Sequence, residues 1–182
     1  MGSLILGITG ERLAGKDTIA EYLVKTCQAD HIKYSHILDE ILEVLDLPIT
    51  RRNEIDLGLA LRQGFDRDIL WRAMLKRIKK SWSGMVIING IRFKDEFDRV
   101  KEMEGKIIYV TAPQNLLFER SKIRTEKEDD GELNLDAFKK QESELTESGI
   151  PILGAKADFK VENIGTIEDL YKKVDEIVKE IK

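Results

Sequence analysis

The stretch that most limits what this chain can become is Gly10-Glu11-Arg12-Leu13-Ala14-Gly15-Lys16-Asp17-Thr18, which follows the strand-like run Leu4–Thr9 and precedes apolar residues at helical spacing. Strand, glycine loop, lysine and helix in that order form a cradle for phosphate. Gly10 and Gly15 permit backbone dihedrals that turn several N–H groups inward, and the helix behind them adds the positive end of its dipole. Lys16 then reaches the β and γ phosphates. Gly10, Leu13, Ala14, Gly15, Lys16, Asp17 and Thr18 are therefore the candidate nucleotide-binding positions, with Lys16 also catalytic.

The match to G-x-x-x-x-G-K-[ST] departs at one place. Asp17 stands where Ser or Thr normally offers a hydroxyl to magnesium, and the hydroxyl follows at Thr18. A carboxylate can hold that hard cation, directly or through water. Asp17 is thus the candidate metal ligand and Mg2+ the expected ion.

Length and charge narrow the rest. With 182 residues the chain fits one domain, 1–182, with enough length for a substantial core. Its net charge of -4 gives no global attraction to nucleic acid or to an anionic membrane, so the expected partner is a small molecule. The single cysteine, Cys27, rules out an intramolecular disulfide and falls at an apolar position of the first helix, where it reads as an inert thiol. The absence of a long apolar run or a basic leader leads to the expectation of a cytoplasmic protein.

Along the chain, a weak strand is expected over 31–35 and helical pattern over 37–82, broken at Pro48 and near Gly64, with Asn53 and Asp66 as caps. So long a helical insertion between the second and third strands exceeds a minimal crossover and suits a binding subdomain. Gly84–Asn89, Ile107–Val110 and Ala157–Val161 read as further strands, with a helix from Lys94 to Met103 and another beginning at Pro113. A polar stretch, Thr125–Asn134, reads as an exposed loop before a helix over 135–147 and a break at Gly149-Ile150-Pro151; Thr166 caps the last helix. Repeated crossovers in one direction point to a doubly wound α/β sheet.

In such a sheet ligands sit beyond the carboxyl ends of the strands. Ser35 follows the second strand, Asn89 and Arg92 the third, and Asn163 to Thr166 the fifth. Arg120 and Arg124 lie four apart, on one face of a helix leading into the polar loop, where two cations would cover charge on a moving phosphoryl group. Arg92 and Arg62 are the candidates to grip a substrate phosphate, with Arg51 and Arg52 as further possibilities. His31 and His36 lack the companions of a metal site, and the basic side of the helix carrying Arg72 and Lys76 reads as a solvated face.

Together these residues resemble the P-loop nucleoside monophosphate kinase superfamily. The loop ending Gly15-Lys16-Asp17-Thr18 is similar to that of phage-type deoxynucleoside monophosphate kinases. The later half is similar to dephospho-CoA kinase in Arg120 and Arg124, a helix with Gln141, Ala157-Asp158-Phe159, and Asn163-Ile164-Gly165-Thr166 before the last helix. The resemblance implies a three-layer αβα P-loop fold with a five-stranded parallel sheet. It also implies ATP on the loop, an acceptor pocket in a helical insertion over 37–82, a lid region over 120–146, and Asn163 and Gly165 beside the adenine.

Two departures shape the expected activity. Dephospho-CoA kinases resemble one another in an acid at the end of the second strand, whereas this chain has Tyr34-Ser35-His36 there and Asp39 as the nearest acid. A monophosphate acceptor needs no such base, because its oxygen is already anionic. The other departure is Asn89, where many P-loop proteins carry an aspartate; Asp17 would compensate. The expectation is an ATP-dependent kinase acting on a small phosphorylated acceptor, most simply a (deoxy)nucleoside monophosphate, as a monomer or homodimer. Dephospho-CoA kinase is the alternative, and a nucleotide-binding regulatory ATPase module the alternative from another class.

Overall fold

The computed structural model describes residues 3–123 and 145–181. Within them the elements run β1 (Leu4–Gly10), α1 (Lys16–Cys27), β2 (Asp30–Lys33), α2 (Tyr34–Val44), α3 (Arg51–Gly64), α4 (Ile69–Ile78), β3 (Met85–Ile91), α5 (Lys94–Glu102), β4 (Lys106–Thr111), α6 (Gln114–Ser121), α7 (Leu145–Ser148), α8 (Ile150–Gly154), β5 (Phe159–Glu162) and α9 (Ile167–Ile181). The five strands form one parallel sheet in the order β2-β3-β1-β4-β5.

β1, β3 and β4 are apolar on both faces because both faces are covered. On one side Leu6, Ile8, Ile87 and Ile108 pack with Ile19 and Leu23 of α1 and with Leu170, Val174 and Val178 of α9. On the other, Ile5, Val86, Ile88 and Ile107 meet α2, α4 and α5 through Ile37, Leu38, Trp71, Met74, Phe97 and Val100. The alternation along β1 sends Leu6 and Ile8 one way and Ile5 the other, which is the period of two expected of a strand.

The helical stretch between β2 and β3 divides in a way that hydrophobic pattern alone did not reveal. α2 and α4 belong to the layer covering the sheet, whereas α3 buries only Glu54 and Gly58 and stands outboard. α2 begins at Tyr34, directly after β2, and Trp82 is 99% exposed beyond the last of these helices. The expected caps also move. Thr50, not Asn53, caps α3, its side chain accepting from Asn53 N at 3.1 Å. Asp68, not Asp66, occupies the cap position of α4, while Asp66 accepts from the Asp68 backbone at 2.9 Å.

Two backbone features aim the site. Opposite Ile8 and Thr9 the register of β3 slips, pairing Ile8 with Asn89 and Thr9 with Ile91, so Gly90, at φ 88°, is the bulged residue. That bulge turns the strand end carrying Asn89 and Arg92. At the other edge Asp158 accepts from Ile107 N at 2.8 Å and from Lys101 Nζ, fastening the start of β5 to β4. Arg124, Gln141 and the expected loop over 125–134 lie outside the described residues. The break at Gly149 is where α7 gives way to α8, with Pro151 in its first turn. Among the described residues no helix is long and apolar enough to cross a membrane.

Candidate active site

The loop between β1 and α1 has little room for any side chain at its glycines. A Cβ on Gly10 would stand 2.0 Å from Val110 O, and one on Gly15, at φ 106°, would stand 2.5 Å from Asn163 Nδ2. Close backbone approach and a left-handed dihedral are what glycine supplies. Gly15 is the cap position of α1 and no side chain caps the helix, so the polar first turn opens toward the cavity beside Lys16, Asp17 and Thr18.

Lys16 Nζ donates to Gly10 O at 2.9 Å and Glu11 O at 2.8 Å, folded along its own loop. Burial, assisted by Arg92, pushes its pKa down to about 7. An amine held this way gains its full charge when an anion arrives beside it.

Asp17 is engaged on the neighbouring side. Its Oδ1 accepts from Asn89 Nδ2 at 2.8 Å and pairs with Lys33 Nζ at 3.0 Å. Asn89 Nδ2 also lies 3.1 Å from His31 Nε2, and burial lowers the His31 pKa, favouring the neutral ring that can accept there. The two positions in which the sequence departs from the common pattern are thus in contact with each other. Asn89 Oδ1 is buried with no hydrogen-bond partner among the described residues. With the Asp17 carboxylate and the Thr18 hydroxyl it makes a set of oxygens of the kind magnesium takes, directly or through water. Among the described residues no three His, Cys, Asp or Glu side chains group to hold a metal, so such an ion would lean on phosphate oxygens as well.

Arg120 bridges two loops. Its Nη1 donates to Leu13 O at 3.1 Å and its Nη2 to Asn163 O at 3.0 Å, while Asn163 Nδ2 donates to Ala14 O at 2.8 Å. α6 and the turn before α9 therefore clamp the glycine loop from behind. Gly165 lies in that turn, outside the cavity lining, where a Cβ would meet Asp169 Oδ2 at 2.7 Å.

From the loop a cavity of about 550 Å3 extends under α3. Seven cationic side chains and three carboxylates line it, an excess of positive charge in a chain whose total is negative. Leu38, Ile55, Leu59, Leu70 and Phe93 supply apolar wall, and Ser35 reaches it from the start of α2. Arg92 is among its lining residues, and burial and the nearby Arg51 lower its pKa to about 10. Arg51 and Arg92 converge on one oxygen of Glu147, Oε1, from Arg51 Nη2 at 2.5 Å and from Arg92 Nη1.

Arg62 has a different setting from the one expected for a phosphate ligand. It borders the cavity, but its guanidinium pairs with Asp95 at 2.8 Å and with Glu96, donates to Arg67 O at 3.0 Å, and lies 4.2 Å over the Phe93 ring. Glu96, buried at the start of α5, also accepts from the Arg92 and Phe93 backbone at 2.8 and 3.2 Å. The Arg92 side chain, in turn, pairs with Glu147. Arg12, Tyr34 and Glu147 were missed by sequence reasoning. Arg12 is buried and borders the cavity from inside the loop motif, where any residue type is allowed. The Tyr34 hydroxyl is buried without a hydrogen-bond partner among the described residues.

With this geometry in view, a family model described as an AAA domain matches residues 6–147. The chain belongs to that family. Its five-stranded parallel sheet, with the glycine loop between β1 and α1, is the architecture this domain shares with the solved structures below. A UPF0200/UPF0201 protein of Archaeoglobus fulgidus is 26% identical over 179 residues, and the chain spans only 54% of that relative's length. A UPF0200 protein of Methanocaldococcus jannaschii is 28% identical over 183 residues, covering 98% of this chain and 90% of its own. Among solved structures, the shikimate kinase of Bacteroides thetaiotaomicron superposes with a TM-score of 0.66 at 16% identity over 98% of each chain. The shikimate kinase of Acinetobacter baumannii, in complex with shikimate, gives 0.61 at 16% identity over 99% and 95%. At that identity the likeness of the AAA domain to these enzymes is one of fold.

Proposed function

We propose that this chain is an ATP-dependent kinase that passes the γ-phosphoryl group to a small acceptor already bearing a phosphate, a (deoxy)nucleoside monophosphate being the favoured class. The observation that carries this reading is the single cavity joining Lys16 and the start of α1 to Arg51 and Arg92 beneath α3. Cations along the cavity suit a donor and an acceptor that each bring phosphate, and its apolar wall suits a flat base. β2 ends in Lys33, and Tyr34 and Ser35 follow it, so the strand itself offers no acid at its end, and the carboxylate nearest there, Asp17, is paired with Lys33 and Asn89; an anionic phosphate oxygen needs no base.

In this reading the backbone of Gly10, Leu13, Ala14 and Gly15 wraps the phosphates and Lys16 turns from its loop carbonyls to the β and γ oxygens. Asp17, Thr18 and Asn89 would hold magnesium, which when bound offsets charge on the phosphates. Arg120 and Asn163 keep the loop in shape, and Gly165 leaves the turn open for the adenine. Arg51 and Arg92 take the acceptor's phosphate, Ser35 offers it a hydroxyl, and Arg62 holds α3 against α5. Arg124 enters as a second cation of the lid region. Residues 37–82 then serve partly as acceptor domain, through α3, and partly as sheet cover.

Incubating the full chain with magnesium, ATP and a panel of nucleoside monophosphates, their deoxy forms, dephospho-CoA and shikimate tests the proposal. ADP should form only with an acceptor, and best with a nucleoside monophosphate. Slow ADP formation indifferent to every acceptor would overturn it in favour of a regulatory ATPase module.

A further inference from the structure

The phosphate-binding pattern leaves four loop positions open between Gly10 and Gly15, and the fold accounts for three of them. Glu11 turns its carboxylate toward β4, where Oε1 accepts from the Tyr109 hydroxyl. Ala14 is fully buried, and Leu13 packs against the same core cluster, which includes residues of α1 and α9. Arg12 is the exception. It is 7% exposed, yet it borders the cavity together with Lys16, Arg51 and Arg92.

A guanidinium taken out of water beside other cations is unfavourable unless anions offset it. Arg12 is close enough to Arg92 to lower its pKa, and Arg92 and Arg51 act on Lys16 in the same sense. Glu54 and Glu96 act on Arg92 in the opposite sense, and Arg12 has interactions of its own in the free chain, but Lys16 and Arg92 both stay below their ordinary values. With its carboxylates in place, the cavity thus still favours a ligand of several negative charges. Arg120, a cation expected to cover the moving phosphoryl group, instead donates to Leu13 O and Asn163 O behind the loop.

We propose that Arg12 is a further catalytic residue, whose guanidinium contacts the γ-phosphoryl group of ATP on the side facing Arg92 and remains on it during transfer. This rests on the kinase reading of the cavity. In the transfer the bond from the γ phosphorus to the bridging oxygen breaks, its electron pair staying on ADP, while an ionised oxygen of the acceptor's phosphate forms the new bond to phosphorus. No proton has to move. Negative charge spreads over the three equatorial oxygens, and a planar fork of N–H donors can meet two of them at once. Lys16 is by comparison a point charge.

Binding of nucleotide alone tests the contact without any acceptor. The full chain, unmutated and as R12M, is titrated by calorimetry with magnesium and either ADP or the β,γ-imido analogue of ATP. R12M should bind ADP within about twofold of the unmutated chain and lose roughly tenfold or more for the analogue, as expected for a hydrogen bond to a charged group. Equal losses for both nucleotides would show that Arg12 only shapes the loop, and no loss for either would show that it touches neither; both results overturn the proposal. Acceptor-dependent ADP formation by R12M should fall about hundredfold in kcat, with the acceptor KM little changed. A loss confined to KM would put Arg12 on the acceptor and would also overturn it.

Should R12M fail to fold, the unmutated chain decides the matter. With 15N-arginine labelling and sequential assignment, the Arg12 Nε–H resonance should shift further with the imido analogue than with ADP. A resonance that responds equally to both refutes the contact. The kinase reading fails separately, by absence of acceptor-dependent ADP in the unmutated chain, and leaves the binding comparison interpretable.

Discussion

Lys16 carries a charge that its surroundings disfavour until an anion arrives. Its pKa falls from 10.5 to about 7, first through burial and then through repulsion by Arg92. Between those two values the unfolded chain holds a proton that the folded chain lacks, so unfolding becomes harder as pH rises. In metal-free buffer the stability of the wild-type chain, relative to K16M, should therefore increase from pH 7 toward pH 10, as read by denaturant titration at each pH. A difference between the two proteins that stays flat across that window would show that Lys16 keeps its proton. The same residue scale explains Gly10 and Gly15, where backbone contacts leave no place for a Cβ. It also shows where the Arg62 guanidinium is engaged: Asp95, Glu96 and the Phe93 ring surround it at the border of the cavity.

At the scale of elements, the start of α5 ties the end of β3 to α3. Glu96 accepts from the backbone of Arg92 and Phe93 and pairs with Arg62 of α3, although burial raises its carboxyl pKa above the ordinary range. Removing it leaves the Arg62 guanidinium, only 10% exposed, with Asp95 as its remaining carboxylate. Loss of one partner from a buried pair costs about 3 kcal/mol. E96A should lose about that much in urea unfolding, and E96Q less, since an amide oxygen still accepts from the turn. Equal and small losses in both would mean that Asp95 alone suffices for Arg62. The glycine loop has its own bracing from α6 and the β5–α9 turn through Arg120 and Asn163, independent of α3.

For the whole molecule, the division of labour is between a sheet covered on both faces and one helix that stands apart from it. β1 and β3 are buried along nearly their whole length, while α3 buries two residues. Segments with few buried contacts open at lower free energy than the global transition. Native-state hydrogen exchange should thus show α3 amides exchanging through local opening, well ahead of β1 and β3, which should exchange only on global unfolding. Matching protection in α3 and the central strands would contradict a helix that opens separately from the sheet.

What the sequence by itself determined was local and periodic. The loop from Gly10 to Thr18 was readable because its chemistry is consecutive, and five strands and most helices were readable because burial on two faces or one stripe imposes a regular apolar spacing. Boundaries slipped at Thr50 and Tyr34, where capping geometry and the end of a strand decide and composition does not. Only the tertiary structure decided which charges meet. Asp17 with Asn89, Arg62 with Glu96, and Arg51 with both Arg92 and Glu147 are each separated by dozens of residues or drawn from different elements. No local pattern ranks one arginine above another. Which one meets Glu147 and which is held by Asp95 and Glu96 follows from how α3, α5 and α7 pack around the end of β3.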